Sequence, residues 1–187
     1  VVVRERHVEG EGLVRLVLAA PNGRPLPAWS AGSHVDLVAG GFRRKYSLCG
    51  PRDDRSVLEV VILREAQGRG GSKHFCDAVT AGDTIHLAGP KNLFRLDESA
   101  PRHVLIAGGI GITPLFCMIQ RLEALGRPWR LVFGARSRDR CAYLDAILAL
   151  EEKAPGRVQF HFNAEHDGRV LDMTAVVASV PQDAHLY

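Results

Sequence analysis

The hydrophobic pattern changes period near residue 100, and that change limits what this chain can fold into. Before it, apolar residues run or alternate over short stretches at 13–18, 34–38, 57–63 and 84–88. Turn-forming residues separate these stretches, at Pro21-Asn22-Gly23, Gly40-Gly41, Gly50-Pro51 and Ala81-Gly82-Asp83. Short strands at this spacing predict a small antiparallel barrel or sandwich, with one helix over 72–79. After the change, strand-like runs at 103–107, 129–133, 158–162 and 184–187 alternate with helical spacing at 114–125, 143–150 and 173–180. Strands alternating with helices predict a doubly wound parallel sheet. The polar stretch 95–101 separates the two patterns, so the expected domains are 1–98 and 99–187.

Composition narrows the class. Hydrophobic residues at 46% and charged residues at 24% are ordinary for a globular chain. The net charge of +3 is mild and argues against nucleic acid as a partner. No apolar run is long enough for a membrane span, and Arg4, Glu5, Arg6 and His7 break up any leader-like stretch. Cys49, Cys76, Cys117 and Cys141 are widely spaced with no C-x-x-C pair, which argues against zinc or iron–sulfur ligation by these residues. They read as reduced thiols of a cytoplasmic protein. His34, His74, His103 and His161 form no ligand pattern, and Trp29 and Trp129 read as packing residues.

The run Ala107-Gly108-Gly109-Ile110-Gly111-Ile112-Thr113-Pro114-Leu115 joins a predicted strand to a predicted helix. Glycines allow a sharp turn and close backbone approach. Pro114 suits the first helical position. The helix start then offers free N–H groups to a pyrophosphate. This is not the G-x-G-x-x-G fingerprint, and the next strand ends in Gly134-Ala135-Arg136-Ser137-Arg138 rather than in an acid. An acid there binds ribose hydroxyls, whereas arginine favours a 2′-phosphate.

A second signal lies in Arg43-Arg44-Lys45-Tyr46-Ser47-Leu48. Strand alternation puts Arg44, Tyr46 and Leu48 on one face. Arginine grips phosphate with paired hydrogen bonds, Tyr46 offers a flat surface, and Ser47 can bond a ring edge. Gln67-Gly68-Arg69-Gly70-Gly71-Ser72 precedes the predicted helix, with Ser72 as its N-cap. Such a turn can form an anion-binding nest of N–H groups.

Together these residues resemble the ferredoxin reductase-like flavoprotein superfamily. Its R-x-Y-S motif matches Arg44-Lys45-Tyr46-Ser47, and its G-G-x-G-x-T-P turn matches residues 108–114. The sequence is most similar to the phthalate dioxygenase reductase and vanillate O-demethylase reductase group, whose FMN phosphate loop the 68–72 turn resembles. The resemblance implies an all-β antiparallel Greek-key barrel followed by an α/β doubly wound parallel-sheet nucleotide-binding domain. It implies an NAD(P)H-dependent reductase that passes electrons from a nicotinamide through FMN to a one-electron acceptor, and beyond it to a terminal oxygenase component. Arg44, Gly70, Gly71 and Ser72 would hold the FMN phosphate, and Tyr46 would lie against the flavin ring. Ser47 would approach N5, and the backbone of Val61, Ile62 and Leu63 would flank the ring. Thr113 would face the ring from the second domain, so Ser47 and Thr113 are the candidates for steering the reaction. Gly108, Gly109, Gly111, Ala135 and Arg136 would contact the pyridine nucleotide.

NADH is favoured over NADPH by the resemblance, although Arg136 and Arg138 pull toward a 2′-phosphate. The group's C-G-P motif and its C-terminal [2Fe–2S] domain, with ligands spaced C-x₄-C-x₂-C…C, are not found in this sequence. The full-length product is therefore expected to continue past Tyr187. Two rivals stand beside this reading. One is an FAD-dependent free-flavin or ferredoxin reductase, and the other a nucleotide-binding electron-transfer or sensing subunit.

Overall fold

A computed structural model describes residues 1–187. They divide into two units, Val1–Leu96 and Asp97–Tyr187, slightly ahead of the boundary expected from composition.

The first unit contains β1 (Val2–Gly10), β2 (Leu13–Ala19), β3 (Ser33–Ala39), β4 (Phe42–Ser47), β5 (Val57–Leu63), α1 (Gly71–Asp77) and β6 (His86–Asn92). The strands form two antiparallel sheets in the orders β1-β2-β5 and β4-β3-β6. Leu16, Leu18, Val35, Leu37, Leu58, Val60 and Ile62 occupy alternate strand positions and make the core, with Phe75 of α1. Each such side chain contributes roughly 1.5–3 kcal/mol by leaving water. Gly40 and Gly41 turn β3 into β4 with φ of 55° and 78°, the positive values that a two-residue hairpin turn of this hand requires.

The two seams between the sheets differ. One is closed, because Val2 bridges Thr84 and the Val3 and Ile85 N–H groups donate to Asp83 and Val1 carbonyls at 2.9 Å. The other, between β4 and β5, has no ladder. The Cys49 N–H reaches the Glu59 carbonyl across it at 3.1 Å, and α1 packs against both strands.

β1 was not predicted. Arg4, Glu5, Arg6 and Glu9 hide any alternation, and Val3 is its one fully buried residue. It forms through its ladder with β2, and charge on such an edge strand discourages further pairing. β6 extends past the predicted run through Pro90, which an edge strand tolerates.

The second unit contains β7 (Arg102–Gly108), α2 (Ile112–Ala124), β8 (Trp129–Ala135), α3 (Leu144–Lys153), β9 (Val158–Phe162), α4 (Met173–Ala178) and β10 (Ala184–Leu186). The strands are parallel in the order β10-β7-β8-β9. The chain winds outward from β7 through β9, then returns to the other side of β7. Right-handed crossovers therefore put α2 and α3 on one face and α4 on the other. Leu105, Leu131 and Phe133 are fully buried in the sheet, as are Met118, Ile119 and Leu122 on α2.

Trp129 packs in the core and donates from Nε1 to Glu123 at 2.7 Å. Buried His103 sets its ring nitrogens against the Pro128 and Asp97 carbonyls, at 3.2 and 2.8 Å. No helix is long and apolar enough to cross a membrane.

Candidate functional site

In the first unit, the open seam brings together most of the residues singled out on the barrel side. Phe42, Arg44 and Tyr46 share one face of β4, with Arg43 and Lys45 exposed on the other. Arg44 extends over the start of α1. Its Nη2 donates to the Arg69 carbonyl at 3.4 Å and its Nη1 to the Arg43 carbonyl at 2.8 Å. A β-carbon at Gly71 would stand 2.2 Å from Arg44 Nε, so only glycine admits the guanidinium here. Gly70 precedes it with φ 81°, a left-handed conformation that favours glycine.

Tyr46 meets Phe75 of α1 edge-on, with ring centroids 5.6 Å apart. Its hydroxyl is buried and has no protein partner. Burial pushes the phenol pKa up, so it stays protonated and able to donate. Ser47 is half-buried at the end of β4, opposite His34. Val61 and Ile62 bury their side chains and Leu63 is half-buried, so what these residues offer the seam is the backbone of an edge strand laddered to β2 alone.

Ser72 departs from the sequence reading. The helix begins at Gly71 with Gly70 as its cap, and the Ser72 hydroxyl instead accepts from the Glu65 N–H at 3.0 Å. The serine thus closes the 65–72 turn rather than capping the helix.

In the second unit, β7 ends level with β8, since Gly108 pairs with Gly134. The glycine turn and the Ala135-Arg136 strand end therefore lie side by side. Residues 109–111 form a 3₁₀ turn that runs into α2. Gly109 has φ 49°. A β-carbon at Gly108, Gly109 or Gly111 would meet no protein atom within 4 Å. Close packing of strand on helix thus does not require these glycines, whereas close approach of a ligand would.

Pro114 sits at the third helical position rather than the first, still within the first turn, where no intrahelical donor is needed. Thr113 is buried and donates from Oγ1 to the Ile110 carbonyl at 3.0 Å, bracing the turn. Ala135 is buried, while Arg136 is exposed and its guanidinium has no partner.

One pairing at this strand end was missed in the sequence. Arg138 is held by Glu165, which lies beyond the third strand of this sheet. No local motif links the two.

Sheet order, register and glycine turn define a ferredoxin reductase-like protein with a pyridine-nucleotide-binding second unit. Comparison with known proteins agrees. Residues 105–180 match the family model described as the oxidoreductase NAD-binding domain. The chain is 43% identical over 171 residues to phenoxybenzoate dioxygenase subunit beta of Ectopseudomonas oleovorans, covering 91% of this chain and 52% of that protein. It is 34% identical over 188 residues to vanillate O-demethylase oxidoreductase of Pseudomonas sp. (strain HR199 / DSM 7063), covering 100% of this chain and 59% of that one. The solved structure of phthalate dioxygenase reductase, described as modular for electron transfer from pyridine nucleotides to [2Fe–2S], superposes with a TM-score of 0.90 at 31% identity. That match covers 100% of this chain and 58% of the other.

The chain has the ferredoxin reductase-like fold with an oxidoreductase NAD-binding domain, and its homologues are reductase components of oxygenase systems. It spans little more than half the length of these relatives. The four cysteines are buried and form no disulfide, and no three His, Cys, Asp or Glu side chains converge to hold a metal. These residues do not fit an iron–sulfur cluster.

Proposed function

We propose that this chain is the flavin- and pyridine-nucleotide-binding portion of an NAD(P)H-dependent oxygenase reductase, with FMN on the first unit and NADH preferred on the second. The observation that carries this reading is Arg44 laid over Gly71 beside the buried, unpartnered Tyr46 hydroxyl. A guanidinium against N–H groups at a helix start suits a terminal phosphate. A buried donor without a protein partner costs about 1–3 kcal/mol, and a polar edge of the cofactor would satisfy it.

Each residue then has a physical task. Arg44 and the backbone at Gly70 and Gly71 hold the phosphate, while Ser72 fixes the turn through the Glu65 N–H. Tyr46 presents its ring and hydroxyl to the flavin, Ser47 supplies a hydroxyl for the N5 region, and the edge of Val61, Ile62 and Leu63 supplies backbone groups. In the second unit, Gly108, Gly109 and Gly111 let the pyrophosphate approach the start of α2, with Ala135 and Arg136 alongside. Thr113 keeps that turn in shape through the Ile110 carbonyl. The chemistry supplied by a bound flavin is acceptance of a hydride at N5 and release of electrons one at a time. The protein's part is positioning, and no side chain needs to act as a general acid or base. The one-electron acceptor lies outside these residues, in a [2Fe–2S] domain or a partner that serves a terminal oxygenase.

Acid release of the flavin from the purified protein and its chromatographic identification test the cofactor: FMN is expected, and FAD overturns that choice. Anaerobic mixing with NADH tests the activity. A reductase bleaches its flavin absorbance, whereas a nucleotide sensor leaves it unchanged.

A further inference from the structure

One of the two arginines that suggested a 2′-phosphate site, Arg138, is already held by an acid. Arg138 donates from Nε to Glu165 Oε1 at 2.6 Å and from Nη2 to Oε2 at 3.2 Å, a two-point grip that fixes the plane of the guanidinium. Its Cζ lies over the Phe162 ring, 4.5 Å from the centroid, and cation–π attraction adds to the hold. The loops carrying the pair are tied as well. Phe162 pairs with Ala135 at the ends of β9 and β8, and the Ala164 N–H donates to the Arg136 carbonyl at 2.9 Å.

Both members of the pair are about half exposed, so the pair adds little to stability. Its consequence lies in the charge presented at this corner. In a sheet of this kind the pyrophosphate sits at the first glycine turn, and the adenosine ribose falls at the end of the next strand. Here that strand end is Arg136-Ser137-Arg138. A 2′-phosphate at Arg138 would need that guanidinium uncommitted, and its charge is matched and its Nε/Nη2 edge taken by the Glu165 carboxylate.

We propose that Glu165 is a positioning residue for nucleotide choice: by holding Arg138 it denies a 2′-phosphate its counter-charge and selects the unphosphorylated ribose. The acid comes from the segment after the third strand, where the usual sequence fingerprint would not look for it. Arg136 remains for the pyrophosphate. This inference rests on reading the second unit as the nucleotide-binding domain.

The test measures binding of a matched pair, ADP-ribose and 2′-phospho-ADP-ribose, to the purified protein by calorimetry. Wild type is expected to prefer ADP-ribose. Glu165→Gln frees Arg138 and should shift the ratio of dissociation constants toward the phosphorylated ligand about tenfold or more. The double variant with Arg138→Ala should lose that shift, which a general disturbance of the fold would not produce. An unchanged ratio in Glu165→Gln, with both ligands still binding, overturns the inference and leaves the nucleotide-domain reading intact. A shift that survives in the double variant overturns the role given to Arg138. Failure of wild type to bind either ligand overturns the underlying reading together with the inference.

Discussion

Arg44 occupies the place where a side chain on Gly71 would go: a β-carbon there would stand 2.2 Å from Arg44 Nε and 2.4 Å from Cζ. The clash is with the far end of a flexible side chain, so substitution at 71 moves the arginine rather than the backbone. Gly71→Ala should leave the thermal midpoint of the flavin-free protein nearly unchanged. It should weaken FMN binding by about tenfold to a hundredfold, the range of one or two charge-assisted hydrogen bonds of about 1.5–3 kcal/mol. Fluorescence titration of the flavin-free protein reads the affinity, and unchanged binding would remove Arg44 from the phosphate site.

Tyr46 gives a prediction with opposite signs for two measurements. Its hydroxyl is buried without a partner, so Tyr46→Phe relieves a cost of about 1–3 kcal/mol in the flavin-free protein. The thermal midpoint should rise by several degrees. FMN affinity should fall, because the cofactor loses the donor. If both quantities fall, the hydroxyl is doing something within the protein.

Thr113 ties α2 to the glycine turn through the Ile110 carbonyl. Thr113→Val keeps the shape and removes the donor, at about 0.5–1.5 kcal/mol. The midpoint should drop by a few degrees and nucleotide binding should weaken with it, while Thr113→Ser retains both. Calorimetric melting with ADP-ribose titration checks this.

Asp36 on β3 is buried and accepts from Arg43 Nη2 at 2.7 Å, while its other oxygen has no partner. The Arg43 hydrogen bond holds the Asp36 pKa below its ordinary 3.8, against the opposing effect of burial, with Lys45 and Lys91 helping. A carboxyl lowered in the folded state stabilises above its unfolded pKa and loses that contribution as pH falls through its folded value. Arg43→Ala should therefore be less stable than wild type at neutral pH, and the gap should close as pH drops below about 4. Urea denaturation at a series of pH values measures the gap, and a gap independent of pH would show that the pair is not its source.

Much of this was legible along the chain, for a local reason. The near-continuous apolar run from Val57 to Leu63 and the positive φ at Gly40, Gly41 and Gly109 are set by a few neighbouring residues. Patterns of that kind survive without knowledge of the fold. β1 escaped because its order comes from the ladder with β2 rather than from its own charged sequence. Ser72 was misplaced because its partner, the Glu65 N–H, belongs to a turn whose closure one stretch of sequence does not specify.

The sequence by itself determined the two architectures, the glycine corner before α2 and the basic, aromatic character of β4, because backbone sterics and side-chain period act over short range. Only the tertiary structure decided which groups meet. It set Arg44 against Gly71, buried the Tyr46 hydroxyl without a partner, and brought Glu165 from beyond β9 to Arg138 at the end of β8. Such encounters depend on strand order and register, and a linear pattern of residue types carries neither.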